Sequence, residues 1–283
     1  MWSNYHTHNN FCDGKSESVN YVNKALELNM TSLGFSSHAP LPFNCKWCMK
    51  PEALTDYLEL VRSLKSNTNG LEIYAGLEVD YIPGVISPGT FRKQLDYTIG
   101  SVHFVETMSN GVRWEIDGLH TFFLEGLENI FKNNIKDAIV RYYELTRQMV
   151  TTDCPSIVGH LDKIKIQNTD DKFFSETDDW YKAEIIKTLD CIEQAGTILE
   201  VNTRGLYQKK SKTTYPSPWI LQIASEKNIP ITLSSDAHHH DDITNQFNEV
   251  AYMLTSLGFK KLSILKEGQW NQFKFNEQGL IIT

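Results

Sequence analysis

The chain has 283 residues, 41% hydrophobic and 22% charged, and its 27 Lys and Arg against 35 Asp and Glu leave a formal net charge of −8. That composition is globular, and a chain of this size buries a core without disulfide or metal staples, so any metal is expected to be catalytic. The acidic balance argues against a broad nucleic-acid or anionic-membrane surface.

No apolar run reaches the roughly 18 residues of a membrane span, and the first residues lack the charged and apolar regions of a signal peptide. Five cysteines, an odd number, suit a reducing compartment. A cytoplasmic protein is expected. No linker, low-complexity tract or repeat interrupts the chain, so residues 1–283 read as one domain.

In chain order, short apolar runs alternate with helical stretches. Residues 3–6 read as a strand running into His6-Thr7-His8, and Val19, Val22, Ala25, Leu26 and Met30 then follow helical spacing. A second strand at residues 32–36 runs into His38. Cys45-Lys46-Trp47-Cys48 has C-X-X-C spacing, but it lacks a second pair and does not open a helix after a strand; it reads as a loop with two incidental thiols. Leu54, Leu58, Val61 and Leu64 mark a helix, residues 72–79 a strand carrying Glu78, and residues 97–102 a strand ending before His103. Residues 108–156 read as a loop and one or two helices, with His120 in a loop or helix start. Residues 156–160 form a strand ending at His160, and residues 182–195 a helix with Gly196 as its stop. Residues 197–202 lead into Asn202-Thr203-Arg204-Gly205, and Ser217-Pro218 reads as an N-cap with proline at the first helical position. The last strand, residues 230–234, ends in Ser235-Asp236-Ala237-His238. His239 and His240 then lead, exposed, into a helix over residues 245–257.

Seven strands alternating with helices imply a parallel α/β architecture, either an open doubly wound sheet or a closed barrel. Chemistry at the C-terminal ends of many strands favours the barrel. Six of the nine histidines, at positions 6, 8, 38, 103, 160 and 238, lie at or just past a strand end. Residues two apart on a strand share a face, so His6 and His8 can meet one ion, as can Asp236 and His238. Imidazoles mixed with carboxylates suit zinc, manganese or iron better than calcium or magnesium.

The chain resembles the PHP (polymerase and histidinol phosphatase) superfamily, and within it the stand-alone phosphatases. The resemblance rests on His6-Thr7-His8 with Cys12-Asp13-Gly14, Phe35-Ser36-Ser37-His38-Ala39-Pro40 and Gly76-Leu77-Glu78-Val79-Asp80-Tyr81. It continues through Ile99-Gly100-Ser101-Val102-His103-Phe104, Gly159-His160-Leu161-Asp162 and Ser235-Asp236-Ala237-His238. It implies a distorted (β/α)7 barrel with three divalent metals at the strand ends. His6, His8, Glu78 and Asp236 would hold the first, and Glu78 would bridge to a second bound by His103 and His160. Asp13, His38 and His238 would hold the third.

The implied reaction is hydrolysis of L-histidinol phosphate in histidine biosynthesis, by attack of a metal-bridging hydroxide on phosphorus. Asp236, Glu78, His103 and Arg204 are the expected catalytic set, with Asp236 as proton acceptor. Arg204, whose guanidinium can grip two oxygens, and secondarily Lys165 are expected on the phosphate. Trp114, Glu115 and Asp117 are expected at the ammonium and imidazole. A small-molecule phosphate monoester is the expected partner, without nucleic acid, membrane or an obligate protein. The alternatives are a broad-specificity PHP phosphoesterase, a nuclease, and a silent regulatory barrel, which the intact ligand set disfavours.

Overall fold

A computed structural model describes residues 1–65, 68 and 70–282. Four parallel strands come first: β1 (Ser3–Asn4), β2 (Ser32–Phe35), β3 (Glu72–Asp80) and β4 (Tyr97–Ser101). After a hairpin of β5 (Phe104–Thr107) and β6 (Arg113–Glu115), three more follow: β7 (Ile157–Val158), β8 (Ile198–Asn202) and β9 (Ile231–Ser234). The parallel order is β1-β2-β3-β4-β7-β8-β9. Its two edges meet just past β1 and β9, where His8 N–H donates to Ala237 O at 2.8 Å and Ala237 N–H to His6 O at 3.1 Å. The result is a nearly closed barrel of seven strands, the distorted (β/α)7 form expected.

The helices are α1 (Ser18–Glu27), α2 (Leu54–Leu64), α3 (His120–Phe131), α4 (Ile135–Thr152), α5 (Asp179–Ala195), α6 (Arg204–Tyr207), α7 (Pro218–Glu226) and α8 (Phe247–Ser256). α5 stops as expected at Gly196, which takes the left-handed conformation at φ 65°. Ser217 precedes Pro218 as read, yet its hydroxyl does not cap α7; it accepts from Lys165 Nζ instead. His240 opens a short 3-10 turn (His240–Asp242) ahead of α8. Among the described residues no helix is long and apolar enough to cross a membrane.

β1 and β7 are two residues each, shorter than the runs at 3–6 and 156–160. Side chains take the ladder's donors there. His6 N–H donates to Asn4 Oδ1 at 2.9 Å, Thr7 N–H to Ser36 Oγ at 3.1 Å, and His160 N–H to Glu200 Oε2 at 2.6 Å. The β5–β6 hairpin and an antiparallel sheet of β10 (Lys261–Lys266), β11 (Gln269–Asn276) and β12 (Gly279–Ile281) were not anticipated.

Two-residue periodicity sets the barrel interior. Gly76 pairs in register with Tyr97, and Glu78 and Ser101 share that inward face. The Tyr97 ring lies across Gly34 and Gly76, so its hydroxyl donates to Tyr5 O at 2.6 Å. Trp270 of β11 packs edge-on against Tyr5 with ring centroids 5.0 Å apart. This aromatic layer floors the site above it. A Cβ on Gly76 would come within 2.4 Å of the Tyr97 ring. Gly76→Ala is therefore expected to destabilise the fold by about 1–3 kcal/mol, read as a lower urea midpoint.

Candidate metal centre

Glu78, on β3, is 2% exposed and stands at the centre of the site. Its Oε2 lies 3.2 Å from His6 Nε2, 3.5 Å from His8 Nε2 and 2.9 Å from His38 Nδ1. Its Oε1 lies 2.8 Å from His160 Nε2 and 3.7 Å from His103 Nε2. Asp236 Oδ1 adds contacts of 3.2 Å to His8 Nε2 and 3.7 Å to His6 Nε2. Asp13 Oδ1 is 3.1 Å from His238 Nε2 and 3.8 Å from His38 Nε2. Asp236 turns its chain through a left-handed φ of 51°, a conformation uncommon outside glycine and concentrated at functional sites.

The chemistry of this set is that of a metal site. Among the described residues, three groups at this site have ligand atoms all within 4.8 Å of one another: His6, His8 and Asp236; His6, Glu78 and His160; and His8, Asp13, His38 and His238; a fourth, less buried group is His239, His240 and Asp241. His6 Nε2, His8 Nε2, His38 Nδ1, His103 Nε2 and His160 Nδ1 are buried without a hydrogen bond. Buried polar atoms are nearly always satisfied, and a divalent cation accounts for such orphaned nitrogens. All nine residues expected as ligands are brought together, although His103 stands outside the three tight groups. His8, expected at one ion only, borders two.

Electrostatics point the same way. Burial pushes Glu78 and Asp236 up, but neighbouring charge overcomes it. His38, His6 and His103 hold Glu78 well below the carboxylate range, and Arg204, His6 and Lys163 do the same for Asp236. Burial and the neighbouring His238 and His38 hold His8 well below the usual histidine value, so its lone pair stays free.

A second ring of carboxylates fixes the imidazoles. His6 Nδ1 contacts Glu200 Oε1 at 2.5 Å, and His103 Nδ1 contacts Asp80 Oδ1 at 3.0 Å. Such partners set tautomer and ring orientation. Glu200 was not singled out from sequence; the available signal was a carboxylate on an otherwise apolar strand, Ile-Leu-Glu-Val-Asn.

Beside the cluster opens a cavity of ≈ 200 Å³. Arg204, at the start of α6, lines it and donates through a terminal guanidinium nitrogen to Asp236 O at 2.6 Å and Asp236 Oδ1 at 3.2 Å; that nitrogen also contacts His238 Nδ1. Glu115 and Asp117 line it as expected. Two expected residues do not. Trp114 is fully buried, donates to Phe123 O at 3.2 Å and packs on Phe123 and Phe131, because a three-residue strand under α3 turns its indole into the core.

Lys165 is also withdrawn. Its Nζ contacts Asp162 Oδ2 at 2.7 Å and donates to Thr213 Oγ1 and Thr214 O at 3.0 Å each, and to Ser217 Oγ. Two lysines do line the cavity beside Arg204, Lys210 and Lys163, and Lys163 lies 3.2 Å from Asp117 Oδ2 and 4.0 Å from Asp236 Oδ2. It begins a 3-10 helix (Lys163–Gln167), where side chains three apart eclipse, so it follows His160 and Lys165 does not. Trp47 was also missed. It lines the cavity, stacks on Phe104 at 5.6 Å and donates Nε1–H to Glu115 Oε2 at 3.2 Å.

A nearly closed seven-stranded barrel carrying such a cluster at its strand ends defines a metal-dependent hydrolase of one class. Residues 4–204 match the PHP domain, and the chain belongs to that family. It is 29% identical to the histidinol-phosphatase of Bacillus subtilis over 261 residues, covering 84% of this chain and 94% of that one. The Listeria monocytogenes hisK crystal structure superposes with a TM-score of 0.76 at 25% identity, covering 87% of this chain and 99% of that chain. The Lactococcus lactis histidinol phosphate phosphatase, solved with zinc, L-histidinol and phosphate, shares the fold with a TM-score of 0.66 at 16% identity, covering 99% of each chain.

Two predictions rest on this geometry. Glu200→Gln should weaken metal binding by about 10- to 100-fold, measured by competition with a chromogenic chelator. Lys165→Met would strand Asp162 in the interior and should cost about 3–5 kcal/mol, visible as a lower denaturation midpoint.

Proposed function

We propose that this protein hydrolyses L-histidinol phosphate to L-histidinol and phosphate, as a step of histidine biosynthesis. The observation that carries the reading is the polarity of one cavity. Cationic Arg204 and Lys163 line it beside the His/carboxylate cluster, and Trp47, Glu115 and Asp117 line it too, with Asp117 paired to Lys163 and Glu115 to Trp47. A phosphate ester with an ammonium and an imidazole on its alcohol matches that polarity, and the family and the Bacillus subtilis relative support it.

Three divalent ions fit the donor set, with zinc, manganese or iron favoured by its imidazoles. The first would be held by His6, His8, Glu78 and Asp236, the second by Glu78, His103 and His160, and the third by Asp13, His38 and His238. When bound, such ions acidify water and offset charge on phosphoryl oxygens. Arg204 and Lys163 grip the phosphate and orient phosphorus toward Asp236. Asp236, held ionised, is the carboxylate placed to accept a proton from the attacking water. Glu115 takes the ammonium or imidazolium, and the Trp47 face covers the ring. No side-chain nucleophile is needed, so no phosphoenzyme forms.

A turnover panel on metal-loaded protein tests this, using histidinol phosphate, nucleoside monophosphates and single-stranded DNA. Histidinol phosphate should be preferred by at least about 100-fold in kcat/KM, the discrimination one charged contact and one stacked ring supply. Flat low activity would favour a broad-specificity phosphoesterase, and preference for DNA a nuclease. Within the reading, Arg204→Met should lower kcat about 100-fold, as loss of a donor to developing phosphoryl charge does. Glu115→Gln should raise KM with little change in kcat.

A further inference from the structure

The thiols of Cys45 and Cys48 flank Trp47 in the loop between β2 and α2, and the chemistry above uses neither. Each thiol is a neighbour that perturbs the other, and both are free. They are unequal. Cys45 is half-buried and lines a second cavity beside the first, with Phe43, Phe104 and Arg113. Cys48 is only 7% exposed. The neighbouring Cys48 draws the Cys45 thiol below its usual value, whereas burial pushes Cys48 up. An accessible, more acidic thiol beside a shielded one is the arrangement of an attacking and a resolving cysteine.

Between them, Trp47 belongs to the wall of the active-site cavity. Its ring meets His38 edge-on at 4.6 Å and lies parallel to Phe104 at 5.6 Å, and its Nε1–H holds Glu115. Met49 N–H donates to His38 O at 3.1 Å, so the loop is also tied to the strand end that carries His38.

We propose that Cys45 and Cys48 form an oxidation site at which a peroxide closes a disulfide and displaces Trp47 from the substrate cavity. The Cys45 thiolate attacks one peroxide oxygen, giving a sulfenic acid and releasing water after proton uptake. Cys48 sulfur then attacks the Cys45 sulfur, its proton leaves with the sulfenic hydroxyl as a second water, and the S–S bond forms. Two thiols and one hydrogen peroxide become one disulfide and two waters. Forming the S–S bond draws the sulfurs to covalent distance, so Lys46 and Trp47 between them rearrange. Trp47 then loses its contacts to Glu115 and His38, the wall on which the ring of the substrate rests. A thiol reductant reverses the change.

The consequence for turnover rests on the histidinol phosphate reading; the disulfide itself does not. Metal-loaded protein is treated with a small excess of hydrogen peroxide and then with dithiothreitol. Free thiols should fall from five to three per chain. Trypsin cuts after Lys46, so the fragments carrying Cys45 and Cys48 should stay joined until reduction. Tryptophan emission should change in the wild type and not in Trp47→Phe. KM for histidinol phosphate should rise roughly three- to tenfold, as loss of one aromatic contact and one hydrogen bond implies, with kcat little altered. Cys45→Ser, or Cys45→Ala should the first fold poorly, should show none of these changes. Separate fragments, or thiols lost elsewhere in the chain, would overturn the site. Joined fragments with unchanged emission and unchanged KM would overturn its effect on Trp47. Were histidinol phosphate not turned over at all, the fragments and the emission would still decide the matter.

Discussion

A carboxylate in the middle of a barrel is expensive to desolvate, by several kcal/mol per ion even after relaxation, and Glu78 is 2% exposed. Five imidazoles from His6, His8, His38, His103 and His160 each bring a nitrogen within 3.7 Å of one of its oxygens. They also crowd one another, with neighbouring ring centroids 4.3–5.8 Å apart. His6 is raised well above the usual value despite burial, by Glu200, Asp236 and Glu78, while burial and neighbouring imidazoles hold His8 down. Such a set is self-consistent when fixed positive charge arrives from outside the chain. Metal binding and the stability of the barrel's upper layer are therefore one problem.

The backbone is organised around that layer. The residues that crowd Glu78 come from the ends of β1, β2, β4 and β7, so they meet only if the barrel closes. Closure is made by the segment that carries two of these imidazoles, through the pairing of His6 and His8 with Ala237. The irregular strand ends follow from the same economy of donors, since Ser36, Asn4 and Glu200 bond backbone N–H groups that a longer ladder would use. Glu200 serves twice, holding the His160 amide and the His6 ring.

How far the sequence could be read follows from which features have local signatures. Buried parallel strands are short apolar runs, and seven were visible; a ligand at a strand end is a polar residue where the run stops, so His6 through His238 were legible. Of the antiparallel strands, β11 is mostly exposed and polar, and the buried β10 has its apolar run broken by Ser263, so neither registers as an apolar run. Which way a side chain faces within a 3-10 turn is not local, and Lys165 was chosen over Lys163. Trp114 looked available because its loop was expected to be open, whereas α3 covers it. Trp47 lay inside a C-X-X-C whose spacing drew attention to the sulfurs and away from the ring between them.

The aromatic floor has a consequence for traffic. Tyr5 and Tyr97 fill the barrel beneath the cluster, with Trp270 packed behind Tyr5, so among the described residues these rings close the centre from below. On the proposed reaction, substrate, alcohol, inorganic phosphate and the cations would share the cavity that Trp47 and Arg204 line. In a chamber closed from below departure is sequential: whatever is bound deepest leaves last. On the proposed reaction, phosphate held against the cluster by Arg204 and Lys163 would be the deepest product, and the next substrate would wait on its release.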